Sequence, residues 1–122
     1  KLVFDPHQDL AQSLVGTGFS YHKEVRAWQG ALVAELLPQV RDIRRHGAAA
    51  LDLCYVAAGR QDAYYESNTK AWDVAAGWVI AEEAGAVVCG LGEKRPSERM
   101  IVVGSAQTVS ALSKIISRYV PD

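Results

Sequence analysis

Apolar positions recur along this chain at two spacings, a helical one near 3.6 residues and a strand-like one near two, and the switches between them outline its elements. Leu2-Val3-Phe4 reads as a strand remnant broken by Asp5-Pro6, and residues 8–12 as a turn of helix. Ser13 to Gly16 is a short apolar run that delivers the tight loop Thr17-Gly18-Phe19. From Lys23 to Val40, Val25, Trp28, Leu32 and Leu36 recur three and four apart, with Val33 and Leu37 widening the stripe. That spacing predicts a helix with Trp28 packed in the core, and Pro38 predicts its end or a kink near Leu37. Arg41 to His46 reads as a basic turn. A second helix is expected from Ala48 to Ala58, with Leu51, Cys54, Tyr55 and Ala58 on one face and Ala50, Leu53 and Ala57 on another, so it should be buried on more than one side.

The second half opens on Ala63-Tyr64-Tyr65-Glu66, an aromatic strand, followed by the polar connector Ser67-Asn68-Thr69, whose side chains suit a helix cap. The helix should begin at Lys70 or Ala71 and place Asp73 in its first turn, where the positive end of the helix dipole favours a carboxylate. Ala76 and Gly77 let another element approach closely, while Val74, Trp78, Ala81 and Gly85 form an adjoining face to bury against a sheet. Ala84-Gly85 should stop this helix, with Ala86 to Val88 as the next strand. Gly90 to Glu98 is a loop and Met100 to Gly104 a strand. Ser105 to Thr108 offers a cap for a last helix carrying Val109, Leu112, Ile116 and Tyr119, which Pro121 should end. The order strand, helix, helix, strand, helix, strand, strand, helix predicts a mixed α/β fold with helices covering a sheet, as a single domain over residues 1–122.

Composition narrows the function classes. With 122 residues, 49% of them hydrophobic, the chain can bury a core of its own. A net charge of −1 gives no basic face for nucleic acid. No apolar run approaches ~18 residues and no basic-then-apolar leader opens the sequence, so a cytoplasmic location is the default expectation. Cys54 and Cys89 then read as two buried thiols rather than a disulfide or metal pair. The chain opens at Lys1 and its one methionine is Met100, which is read as a fragment or one piece of a cut chain.

Taken singly, the charged residues say little. Arg41, Arg44 and Arg45 invite a phosphate-binding reading, but a solvated turn or ion pairs to Asp42 and Asp52 is the more common explanation. Asp52, alone in an apolar helix, is assigned a structural role with Arg44 or Arg60 as its partner. His46 lacks a companion at metal-ligand spacing.

Taken together, a longer pattern emerges. Trp72-Asp73-Val74-Ala75-Ala76-Gly77 followed by Glu83-Ala84-Gly85 resembles the C-terminal signature of the inositol monophosphatase family of magnesium-dependent, lithium-sensitive phosphatases. Arg44 to Cys54, Val56 to Arg60 and Asp62 to Glu66 follow the same family's pattern without a gap. The resemblance implies the second half of a layered α-β-α-β-α sugar-phosphatase fold, with the N-terminal half absent. It implies Mg2+ as cofactor, a small-molecule phosphate ester as substrate, inositol monophosphate first, and a homodimer; nucleic acid and membrane are not expected as partners on the charge and apolar-run grounds above. Asp73 matches a metal ligand and Glu66 the carboxylate that accepts hydrogen bonds from sugar hydroxyls. The backbone of Gly47, Ala48 and Ala49 matches the turn facing the ring, and Gly18 lies in the loop bordering the pocket. Ala48 departs from the family, which usually has Ser or Thr there. The remaining metal ligands and the water-orienting threonine belong to the other half, so no catalytic residue is assigned in this chain, which should not catalyse alone. Fructose 1,6-bisphosphate, histidinol phosphate and phosphoadenosine phosphate are the alternative substrates, and a non-catalytic binding or assembly module is the alternative class.

Overall fold

The computed structural model describes residues 2–7 and 9–121. Five strands, β1 (Leu14–Gly16), β2 (Asp42–Arg44), β3 (Ala63–Glu66), β4 (Val87–Cys89) and β5 (Ile101–Gly104), make one sheet in the order β2-β1-β3-β5-β4. β1 runs parallel to both β2 and β3, whereas β5 is antiparallel to β3 and β4. Four helices cover the sheet: α1 (Lys23–Leu36), α2 (Ala49–Ala57), α3 (Ala71–Ala84) and α4 (Ala106–Ile116). The fold is therefore mixed α/β.

Strand alternation divides the core into two. On one face Leu32 and Leu36 of α1 and Leu112 and Ile116 of α4 pack with Val15, Tyr65 and Val102. On the other, Leu53 and Val56 of α2 and Val74 and Ala81 of α3 pack with Tyr64, Ile101 and Val103. Side chains of adjacent strand residues point to opposite faces, so Tyr64 and Tyr65, both buried, serve different layers. Trp28 packs against the first layer.

Element ends follow local chemistry. α1 stops at Leu36 and passes into a short 3-10 turn carrying Pro38. α3 stops at Gly85, which takes the left-handed conformation at φ 110° and bonds back to Ala81. α4 is capped by Ser105, whose hydroxyl accepts from the Thr108 N–H at 3.1 Å. Gly77 permits the close crossing of α3 on α2: a Cβ there would lie 2.7 Å from Leu53 Cβ.

Several expectations are corrected. Residues 42–44 form an edge strand, not a turn, because parallel pairing with β1 supplies its ladder. Among the described residues Leu2 to Phe4 pair with no strand. Phe4 makes one backbone bond, to Ala84, at 3.1 Å. A 3-10 turn covers Leu10–Gln12 of the predicted 8–12 turn, Gln8 lying outside the described residues. α2 buries Asp52, Leu53, Val56 and Ala57, leaving Leu51 exposed. Leu37 is also exposed, lying past the end of α1. α4 ends at Ile116, short of Tyr119 and Pro121, with Ser117 as its cap. Ser67, Asn68 and Thr69 do not cap α3. Lys70 holds the cap position without a side-chain bond. The two cysteines are free, as expected, but only half-buried.

Candidate functional site

The carboxyl ends of the parallel strands β2, β1 and β3 lie along one edge of the sheet, and the helices that follow β1 and β2 cover opposite faces. Parallel strands that diverge in this way leave a crevice at their carboxyl ends. Three segments enter it: the loop after β1 with Gly18, residues 45–49 after β2, and Glu66 to Asp73 after β3. Gly47, Ala48, Ala49, Ala50, Glu66, Asn68, Thr69 and Asp73 line a pocket there of about 320 Å3.

Each member is held by its element. Gly47 adopts φ 86°, which favours glycine, and turns the chain into α2. Ala48 caps α2 without a side-chain bond, so the first N–H groups of that helix are presented at the pocket by backbone alone. Asn68, at φ 64°, bends the chain between β3 and α3, and its N–H donates to the Glu98 carbonyl at 2.6 Å. Asp73 follows in the first turn of α3, exposed and without a side-chain hydrogen bond among the described residues.

Glu66 is half-buried at the end of β3. The Tyr64 hydroxyl donates to its Oε1 at 2.7 Å. Burial pushes the Glu66 carboxyl above its ordinary range and the Asp73 charge adds to this, while the Tyr64 bond and the Arg45 charge oppose it. Tyr64 is wholly buried, and burial together with the Glu66 charge pushes the pKa of its hydroxyl above the ordinary phenol range. Gly18 does not line the pocket but lies against the Glu66 carboxyl, where a Cβ would come within 2.5 Å of Oε1. The Arg45 guanidinium sits 5.7 Å over the Phe19 ring.

A second polar group lies behind this pocket. Gln61 Nε2 donates to Asp52 Oδ1 and to the Ala63 carbonyl, both at 3.1 Å, and Gln61 Oε1 lies 3.1 Å from His46 Nε2. Asp52 is thus held by Gln61, with His46 at 4.0 Å, and not by Arg44 or Arg60. Arg44 pairs with Asp42 at 2.5 Å and Arg60 lies over Tyr55. His46 stacks edge-on against Tyr55.

Sequence reasoning passed over Tyr64 and Gln61, and read Arg45 only as part of a basic turn. Tyr64 had a usable signal, since residues two apart on a strand share a face. Gln61 had none, because its partners come from 2 to 15 positions away.

The donor chemistry bears on a metal. Mg2+ takes six oxygen ligands, several of them water. Among the described residues no group of three His, Cys, Asp or Glu side chains is placed to hold a metal ion. Asp73, an unbonded carboxylate facing a polar pocket, fits one corner of such a shell and no more. A more apolar hollow beside Trp72 and Trp78, about 240 Å3, is lined by one carboxylate, Glu98, which is paired with Lys70 at 3.1 Å.

Comparison with known proteins matches the sequence pattern of the inositol monophosphatase family to residues 2–119. The chain is 61% identical over 80 residues to an inositol-1-monophosphatase of Mycobacterium leprae, covering 66% of this chain and 28% of the relative. It is 42% identical over 118 residues to a protein of Xylella fastidiosa called Nus factor SuhB, covering 89% and 43%. The solved structure of Mycobacterium tuberculosis SuhB superposes with a TM-score of 0.83 at 42% identity, covering 97% of this chain and 46% of that one. The chain therefore spans less than half the length of these relatives. The superposition places the fold among inositol monophosphatase structures.

Proposed function

Because the chain belongs to the inositol monophosphatase family, we propose that the protein carrying it hydrolyses a polyol or sugar phosphate monoester with Mg2+, inositol monophosphate being the preferred substrate. The observation that carries this reading is the meeting of two segments, residues 47–49 after β2 and Glu66 to Asp73 after β3, around one polar pocket. Asp73 would hold the metal, together with carboxylates from the part of the relatives' length that this chain does not span. When bound, Mg2+ neutralises charge on the phosphoryl group and lowers the pKa of its water. This chain's own residues do different work. Glu66 accepts hydrogen bonds from substrate hydroxyls, which favours a polyhydroxylated substrate over a nucleotide. The backbone N–H of Ala49, the first residue of α2, needs no hydroxyl at position 48 and would face the ring. Lithium sensitivity, a homodimeric state and a cytoplasmic location belong to the same proposal.

A substrate panel on the full-length protein tests it: inositol 1-phosphate, fructose 1,6-bisphosphate, histidinol phosphate and phosphoadenosine phosphate, each with and without Mg2+. Inositol 1-phosphate should give the highest kcat/KM, and only with the metal. Absence of turnover on every polyol phosphate contradicts the reading. That result would favour a non-catalytic assembly role, for which the supporting observation is that a relative 42% identical is called a Nus factor.

A further inference from the structure

Glu66 is not an isolated carboxylate. Tyr64 lies two residues before it on β3, so both side chains emerge from the same face of the sheet. The Tyr64 ring is fixed in the core between α2, α3 and β5, with no exposure to solvent, and its hydroxyl reaches Glu66 Oε1 at 2.7 Å. A phenol so buried has one available proton and one acceptor for it. Gly18, from the loop after β1, lies flat on the same carboxyl group, with an implied Cβ only 2.5, 2.6 and 2.7 Å from Oε1, Cδ and Oε2. Any side chain at position 18 would displace the carboxylate. Arg45, held over Phe19, supplies positive charge to Glu66 without a hydrogen bond to it, and so leaves its acceptors open.

The geometry points to Tyr64 as a positioning residue: with its hydroxyl bound to Oε1 and Gly18 behind the group, Glu66 presents Oε2 as a fixed acceptor that selects phosphate esters bearing a hydroxyl. This rests on the reading of Glu66 as the group that recognises substrate hydroxyls, and deepens it. The Tyr64 bond does two things for such a site. It removes the rotational freedom that a lone glutamate would lose on binding. It also keeps the carboxylate an acceptor against the desolvation that favours its protonated form. An ester without a hydroxyl at that position gains nothing from either effect.

The test uses the full-length protein with two esters, inositol 1-phosphate and 4-nitrophenyl phosphate, which has no hydroxyl to offer. Tyr64→Phe keeps the buried ring and deletes the donor. KM for inositol 1-phosphate should rise about tenfold, the equivalent of one charge-assisted hydrogen bond, with kcat within about twofold. KM for the nitrophenyl ester should not follow, so the selectivity ratio of the two kcat/KM values falls about tenfold. Gly18→Ala, which displaces the carboxylate by another route, should lower the same ratio. A ratio within about twofold of wild type in Tyr64→Phe, or an equal loss on both esters, overturns the inference. If Tyr64→Phe does not fold, Gly18→Ala decides, a preserved ratio again overturning it. Glu66→Gln separates the two levels. Should it leave the ratio intact, Glu66 does not read hydroxyls and the functional reading itself fails. If Glu66→Gln abolishes selectivity while the Tyr64 and Gly18 variants keep it, only the positioning role is lost.

Discussion

Asp52 shows what a single buried charge does in this molecule. Its Oδ1 accepts from Gln61, its Oδ2 has no partner among the described residues, and burial pushes its pKa up to about 6 against the opposing influence of Gln61 and His46. The folded pKa lies above the unfolded value of 3.8, so the stabilising contribution of the protonated group is complete below pH 3.8 and lost as pH rises through about 6. The loss amounts to at most about 3 kcal/mol. Asp52→Asn should therefore flatten the stability profile between pH 4 and 6 and gain about 1–2 kcal/mol at pH 7. Thermal melts across that range check this, and an unchanged slope would mean the carboxylate titrates as it does in water. Sequence reading singled out the residue and its need for a partner, but named Arg44 or Arg60 where the structure has Gln61. A charge in an apolar helix advertises that it needs a partner, whereas a neutral glutamine nine residues on gives no sign of being it.

At the scale of elements, the crossing of α2 and α3 governs the site, since α2 carries the backbone of 47–49 into position and α3 carries Asp73. Gly77 sets the distance of that crossing. Gly77→Ala would gain some helix propensity, but its Cβ meets Leu53 Cβ at 2.7 Å, an atom fixed to the backbone that cannot swing away. The net effect should be a loss of about 1–2 kcal/mol, read by denaturant unfolding, and a stabilised variant would contradict the packing described. This crossing was legible because small residues one helical turn from Asp73 mark a close approach. All four helices were legible for a similar reason, their apolar spacing persisting over several turns. β2 was not. Asp42-Ile43-Arg44 has one apolar residue between two charges, a composition that suits an edge strand exposed on one side and is indistinguishable from a turn until β1 pairs with it. The end of α4 was missed because Tyr119 continues the helical spacing into the hydrogen-bonded turn that follows Ile116, where its N–H donates to the Ile116 carbonyl.

For the whole molecule, the strand order β2-β1-β3-β5-β4 brings together segments that are some fifty residues apart in sequence, and it is this order that makes a pocket at the carboxyl edge of the parallel strands. No periodicity in the sequence encodes that order. The convergence of residues 18, 47–49, 66 and 73 was named beforehand only through resemblance to a family, and physical reasoning on the sequence alone stopped at a carboxylate favoured by the helix dipole for Asp73. The central claim is that this carboxylate holds a catalytic metal. The measurement that tests it most directly is the magnesium dependence of inositol 1-phosphate hydrolysis by the full-length protein and its Asp73→Asn variant. The account predicts a loss of at least about 100-fold in kcat/KM with melting temperature nearly unchanged, since Asp73 is exposed and makes no side-chain hydrogen bond among the described residues. Magnesium-dependent turnover near the wild-type level in Asp73→Asn would contradict it.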